Sequence, residues 1–234
     1  MSIITEMLQH AAETFPNEAC GLVVTQGKKF RLIRAANLSP EPKVSFDLDP
    51  NAWLEVPDGE QVIGIYHSHP NGTPEPSMAD LAACEASQLP WHIVSYPGGG
   101  YQLTQPSGYQ APYLERPYVY GVMDCYTMVQ DWYSREYGIC LPNFERGHVF
   151  DERGGDLYEK NFEANGFVRL IDAPLQIGDV LLMRVLFSHS NHSAIFVGGG
   201  MILHHAGGRL SSKDVYGGMW EKHTTHHLRH KSKF

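Results

Sequence analysis

Long apolar runs are missing from this 234-residue sequence: none approaches the roughly 18 residues that a membrane-crossing helix needs, so no membrane span is expected. Cysteine is scarce. The four present, Cys20, Cys84, Cys125 and Cys140, show no CxxC spacing and no dense framework, so a reducing cytoplasm would leave them as thiols open to chemistry. Basic residues fall short of acidic ones, 18 against 26, and the net charge of −8 argues against nucleic acid as a partner, because phosphate binding needs many cationic contacts. The opening MSIITEMLQHAAETFPNE has no basic leader followed by an apolar segment and a small-residue cleavage site, so synthesis in the cytoplasm is the expectation.

What is there is ordinary globular material, 42% hydrophobic and 19% charged, long enough for two domains of about 100 residues. The first 108 residues carry nearly all of the net negative charge and the remainder is almost neutral, which supports a division into 1–108 and 109–234. Residues 5–14 read as an amphipathic helix, and GLVVTQGKKFRLIRAANL as two strands joined at a Gly turn. VIGIYHSH is a strand, SMADLAACEASQ a helix with a Ser cap, and WHIVSY and YQLTQ a hairpin closed by PGGG. QPSGYQAPY has the composition of a linker. Beyond it the order is helix first, from Asp124, and then a meander of short strands, IGDVLLMRV, HSAIFVGGG and MILHHAG. His223, His226, His227 and His230 read as part of a solvated basic tail, with a metal-binding module as the alternative.

The run from His67 to Asp80, HSHPNGTPEPSMAD, concentrates metal-ligand residue types. On a strand, residues two apart share a face, so His67 and His69 can converge on one ion. Asp80, at the start of the following helix, supplies a third ligand, and three protein ligands with one open position describe a catalytic rather than a structural zinc site. Taken alone, an HxH pair is more commonly packing, and Ser77 with Asp80 a capping box. The ungapped pattern H-x-H-P, six residues, S-x-x-D resembles that of JAMM (MPN-plus) metallopeptidases. That resemblance implies zinc as cofactor, His67, His69 and Asp80 as its ligands, Glu18 in FPNEACGLV as the general base, and Ser77 as the group that steadies the oxyanion.

In the second half, Cys125 stands at a helix start, where unpaired N–H groups and the helix dipole are expected to lower a thiol pKa. His192 opens a β run, and antiparallel pairing with the next run would bring His204 beside it. Buried structural cysteine is the plainer alternative. The order of Tyr118 to Gly121, Asp124–Cys125, His192 to Gly198 and LHHAG resembles NlpC/P60 cysteine peptidases. The resemblance implies Cys125 as nucleophile, His192 as base, His204 as third polar residue and Tyr118 as a substrate or oxyanion contact, with His189 and His205 as rivals. The usual Asp-Cys-Ser-Gly reads Asp-Cys-Tyr-Thr here, and the loop before it is short.

Both motif sets in one chain, in this order, resemble the two-domain tail assembly proteins of lambda-like phages. This implies an α+β protein of two domains, one with a curved mixed sheet and one papain-like. It further implies other tail tip proteins as partners, peptidoglycan stem peptides or another peptide as substrate, and a place in the host cytoplasm during tail assembly or at the virion tail tip. An assembly scaffold with vestigial peptidase sites is the alternative from another class.

Overall fold

The structure, a computed structural model, describes residues 2–27, 29–144, 157–185 and 188–233. It divides into two compact units, Met1–Gln110 and Ala111–Phe234.

In the first unit, helix α1 (Ile3–Thr14) starts at Ser2, whose hydroxyl accepts from the Thr5 N–H at 3.2 Å. A five-stranded mixed sheet follows, built from β1 (Cys20–Gln26), β2 (Lys29–Ala35), β3 (Gln61–Pro70), β4 (Trp91–Tyr96) and β5 (Tyr101–Thr104), in the order β2-β1-β3-β4-β5. Only β3 and β4 run parallel, and helix α2 (Met78–Ser87) makes the crossover that such a pair requires. Met7 and Ala11 of α1 pack on Val23, Tyr66 and Val94, while Leu22, Val24 and Ile33 take the other face with Ala52, as period-two alternation demands. A Cβ at Gly21 would meet the Ile33 carbonyl oxygen, so glycine is what lets β1 lie against β2 just past Glu18.

The second unit carries α3 (Cys125–Tyr137), α4 (Leu157–Asn161), β6 (Phe167–Leu170), β7 (Val180–Met183), β8 (His192–Gly198), β9 (Met201–His204), β10 (Ser212–Val215), α5 (Met219–His223) and β11 (Thr224–His230). The sheet is antiparallel throughout, in the order β10-β9-β8-β7-β11-β6. α3 lays Met128, Val129, Trp132 and Tyr133 on the face formed by Leu182, Ile195, Leu203 and Leu228. Leu181, Met183, Ala194 and Ile202 look out from the other face, toward Trp220.

The C-terminal histidines correct the expectation of a solvated tail. Thr224–His230 is β11, paired on both sides between β6 and β7. The sequence hides this strand because Leu228 is its one aliphatic residue and its ordering depends on charge instead. Asp179, almost fully buried, accepts from Arg229 Nε at 2.7 Å and Nη2 at 2.8 Å, pairs with His227 Nε2 at 2.6 Å, and accepts the Gln176 N–H at 2.8 Å. Asp179→Ala would remove the carboxylate that Arg229 and His227 share, an expected loss of about 3 kcal/mol in urea unfolding. Burial would raise the Asp179 pKa, but Arg229, the Gln176 N–H and His227 hold it below the ordinary value. A depressed folded pKa means that this stabilisation is complete above pH of about 4, the unfolded value, and is lost as the pH falls through the folded one. The stability difference between the natural chain and the Ala variant should therefore shrink in acid.

Candidate active sites

The first site lies near the C-terminal end of β3, the central strand of its sheet. His67 and His69 share a face there, and their Nε2 atoms stand 2.9 Å apart. Asp80 reaches both, with Oδ1 3.3 Å from His67 Nε2 and Oδ2 3.3 Å from His69 Nε2. The local sequence holds each group in place. Ser77 caps α2 and accepts the Asp80 N–H at 3.1 Å, while the Ser77 N–H donates to Asp80 Oδ2 at 2.7 Å, so the capping box also aims the carboxylate. His69 Nδ1 lies 2.7 Å from the Thr73 carbonyl, which can only accept, so Nδ1 carries the proton and Nε2 presents its lone pair to the site. His67 is fully buried, stacked on Phe46 with ring centroids 4.7 Å apart and edge-on to Trp91. Its Nδ1 finds no hydrogen-bond partner among the described residues.

Burial holds His67 below the ordinary imidazole pKa, so it is neutral near pH 7. For Asp80, burial is overcome by His67 and His69, which keep its carboxyl well below the usual range. Two imidazole nitrogens and a carboxylate thus turn toward one point, all within 4.8 Å of one another, and with both Nε2 atoms unprotonated this donor set fits zinc. Glu18 sits just before β1. The Cys20–His67 register, continued by the Ala19 N–H bond to Ser68 Oγ at 2.8 Å, carries it toward His69. Burial chiefly, with the Asp80 charge adding and His69 opposing, pushes its carboxyl up to about 8. A cation among the neighbouring ligands would favour its ionised form.

In the second unit Asp124 caps α3, accepting from the Tyr126 and Thr127 N–H groups at 3.0 and 2.9 Å, and Cys125 is the first helical residue. Its Sγ lies 3.1 Å from the Tyr158 hydroxyl. The expectation of a lowered thiol pKa needs correction: burial first, and the Asp124 charge second, push it up, outweighing Tyr158 and the Ser193 N–H and hydroxyl that favour the thiolate. A helix terminus stabilises an anion by about 1 kcal/mol at exposed sites, too little to offset removal from water. Cys140, by contrast, is exposed. Alkylation of the folded protein followed by peptide mass spectrometry should therefore label Cys140 first, with Cys125 slower by more than tenfold.

His192 and His204 do come together, Nε2 to Nδ1 at 2.9 Å, under the Trp220 ring. Their register partners Met183 and Ala194 belong to the sheet face opposite α3, whereas Cys125 meets Ser193 and packs on the Ile195 face. No hydrogen bond joins Cys125 to His192 or His204 among the described residues. Burial first, then His204, His205 and Arg209, bring the His192 pKa down to about 3, so its ring is a neutral proton acceptor. His205 turns the other way from His204, its ring centroid 5.1 Å from that of Tyr118, and the Arg116 and Arg209 backbones face it. Sequence reasoning missed Tyr158 and Ser193, which surround the thiol, and Asp214, whose Oδ2 lies 3.2 Å from His204 Nε2.

Comparison with known proteins follows the same division. Residues 1–105 match the family of prokaryotic homologs of the JAB domain, and residues 115–229 the NlpC/P60 family. The tail tip assembly protein K of Escherichia phage N15 is 38% identical over 230 residues, spanning 97% of this chain and 94% of that protein. This chain belongs to the tail tip assembly protein K family. The family's protein from Escherichia phage lambda is 34% identical over 186 residues, 79% of this chain and 90% of its own length. Similarity to a desampylase of Haloferax volcanii, 31% identical over 116 residues, is confined to 46% of this chain and covers 76% of that protein. Both domain families within this tail tip protein are in general peptidases or hydrolases, and JAB domains typically bind zinc. No helix among the described residues is long and apolar enough to cross a membrane.

Proposed function

We propose that this tail tip assembly protein hydrolyses amide bonds at two separate centres, divided near residues 108–110, a zinc site in the first unit and a thiol site in the second. The observation that carries the reading is the convergence of His67 Nε2, His69 Nε2 and an Asp80 oxygen on one point, with the His69 tautomer fixed by Thr73. In the first centre His67, His69 and Asp80 would hold zinc, which supplies Lewis acidity and a more acidic water. Glu18 is the base: its buried carboxylate, ionised beside a cation, takes up the proton released in the attack on a carbonyl and returns it to the leaving amine. Ser77 spends its oxygen as an acceptor of the Asp80 N–H, which leaves its hydroxyl hydrogen to donate to a developing oxyanion. The similarity to a desampylase favours a peptide or isopeptide between proteins as the substrate of this centre.

In the second centre Cys125 is the nucleophile, His192 the base, His204 its orienting partner and Tyr118 the substrate contact. At rest the thiol is protonated and faces Tyr158. Ser193, next in the chain to His192, lies against Sγ, which puts the thiol one residue along β8 from the proposed base. The class of substrate that suits this centre in a tail tip protein is the peptidoglycan stem peptide, cleaved between a γ-D-glutamyl residue and a diamino acid. Incubating the full chain with purified peptidoglycan and measuring released stem peptides by mass spectrometry tests this. Release by the natural chain but not by Cys125→Ala is the expected result, and equal release by both would defeat it. Tail tip proteins would be the partners, met in the host cytoplasm during assembly.

A further inference from the structure

The second unit holds a carboxylate behind its histidine pair that none of the assigned roles uses. His204 is enclosed, with one nitrogen 2.9 Å from His192 and the other 3.2 Å from Asp214 Oδ2, at ion-pair distance though short of ideal hydrogen-bond geometry. Asp214 stands on β10, opposite Ile202 of β9, with Ser212 opposite His204. Its carboxylate is itself fixed, since Arg209 Nη1 and Nη2 each donate at 3.0 Å and the Ser212 hydroxyl donates at 3.0 Å. Trp220 lies edge-on to His204, with ring centroids 4.5 Å apart, and covers His192 as well.

This chain of contacts dictates proton positions. An ionised carboxylate only accepts, so it favours hydrogen on His204 Nε2. His204 Nδ1 is then a bare lone pair and accepts from His192 Nε2–H. That leaves His192 Nδ1 as the unprotonated nitrogen. We infer that Asp214 is a positioning residue which, acting through His204, fixes the His192 tautomer and stabilises the pair when it takes up a proton. The inference deepens the thiol reading and rests on it for the identity of the proton donor, Cys125. The charged and titratable groups facing the pair are Asp214 and Arg209 toward His204, and His205 and Arg209 toward His192. Asp214 alone among them favours the protonated pair. A plainer account would make Asp214 one half of a hairpin ion pair with Arg209, with no bearing on the histidines.

The two accounts differ in sign as well as size. Histidine ring NMR on the labelled full chain reads both the tautomer, from ¹⁵N shifts, and the pH at which the pair protonates. Asp214→Asn is expected to lower that midpoint by about one pH unit, the effect of removing an opposite charge within about 4–6 Å, and to weaken the His204 Nε2–H preference. Arg209→Ala removes the opposing cation and should move the midpoint upward. Opposite shifts cannot come from simple loss of the hairpin, which both variants would weaken alike. An unchanged midpoint and tautomer in Asp214→Asn, or shifts of one sign in both variants, would overturn the inference. The thiol reading fails separately: if Cys125→Ala still releases stem peptides while Asp214→Asn shows the expected NMR shifts, the tautomer assignment stands and the thiol is not the nucleophile.

Discussion

The protein purified from zinc-containing medium is expected to carry one zinc per chain, and the His67→Ala, His69→Ala double variant none. Two of the three protein ligands are gone in that variant, and changes merely behind the ligands already cost 10- to 100-fold in affinity, so a loss well beyond about 100-fold is expected. His67 is buried between Phe46 and Trp91, and removing its ring opens a cavity that could unfold the unit instead. Asp80→Asn guards against that. It keeps the shape of the side chain and an oxygen for the Ser77 N–H, yet withdraws the anion that both histidines face. Zinc loss in Asp80→Asn with an unchanged circular dichroism spectrum would isolate coordination from folding. Glu18→Gln differs in kind: as a base and not a ligand it should retain zinc while amide hydrolysis by the first unit falls roughly 10²- to 10⁴-fold. Full zinc occupancy in the double variant would remove the metal assignment, and zinc loss in Glu18→Gln would make Glu18 a ligand.

How much of this was legible in the sequence depended on whether a residue's role is set by its neighbours in the chain. His67 and His69 were readable because two positions on a strand share a face by geometry, and Ser77 with Asp80 because a capping box spans only three residues. The β8–β9 hairpin was readable for the same reason, and with it the meeting of His192 and His204. Contacts set by distant pairing were not. β11 is ordered by a buried Asp179–Arg229–His227 network reaching across about fifty residues, so its polar sequence looks like a tail. Asp214 belongs to a strand with no apolar run, and Tyr158 to a five-residue helix. The thiol pKa went the wrong way because position on the helix was visible while burial was not. The identity of the chain, by contrast, rested on two motif sets in a fixed order, and those are local.

Stripping zinc with a strong chelator is expected to abolish the Glu18-dependent activity and leave Cys125-dependent release of stem peptides intact, while Cys125→Ala does the reverse. The ground is that no residue serves both sites and that each unit has its own sheet and its own cores. Each remaining activity should stay within about twofold of the natural chain, whereas the lost one falls by at least 10³-fold, because an open metal site without its metal, or a thiol enzyme without its thiol, has no other attacking group. A fragment ending at Gln110 extends the test. Glu85 of α2 accepts from the Ser107 and Tyr109 N–H groups, which ties the segment after β5 back onto the first unit, so a cut beyond these contacts leaves the sheet and the zinc ligands whole. That fragment should fold and bind one zinc with the affinity of the full chain. The opposing possibility is a single composite machine in which one unit completes the other's cleft. Loss of both activities on chelation, with the circular dichroism of the second unit unchanged, or a folded fragment without zinc affinity, would establish the composite and end the reading of two independent hydrolases.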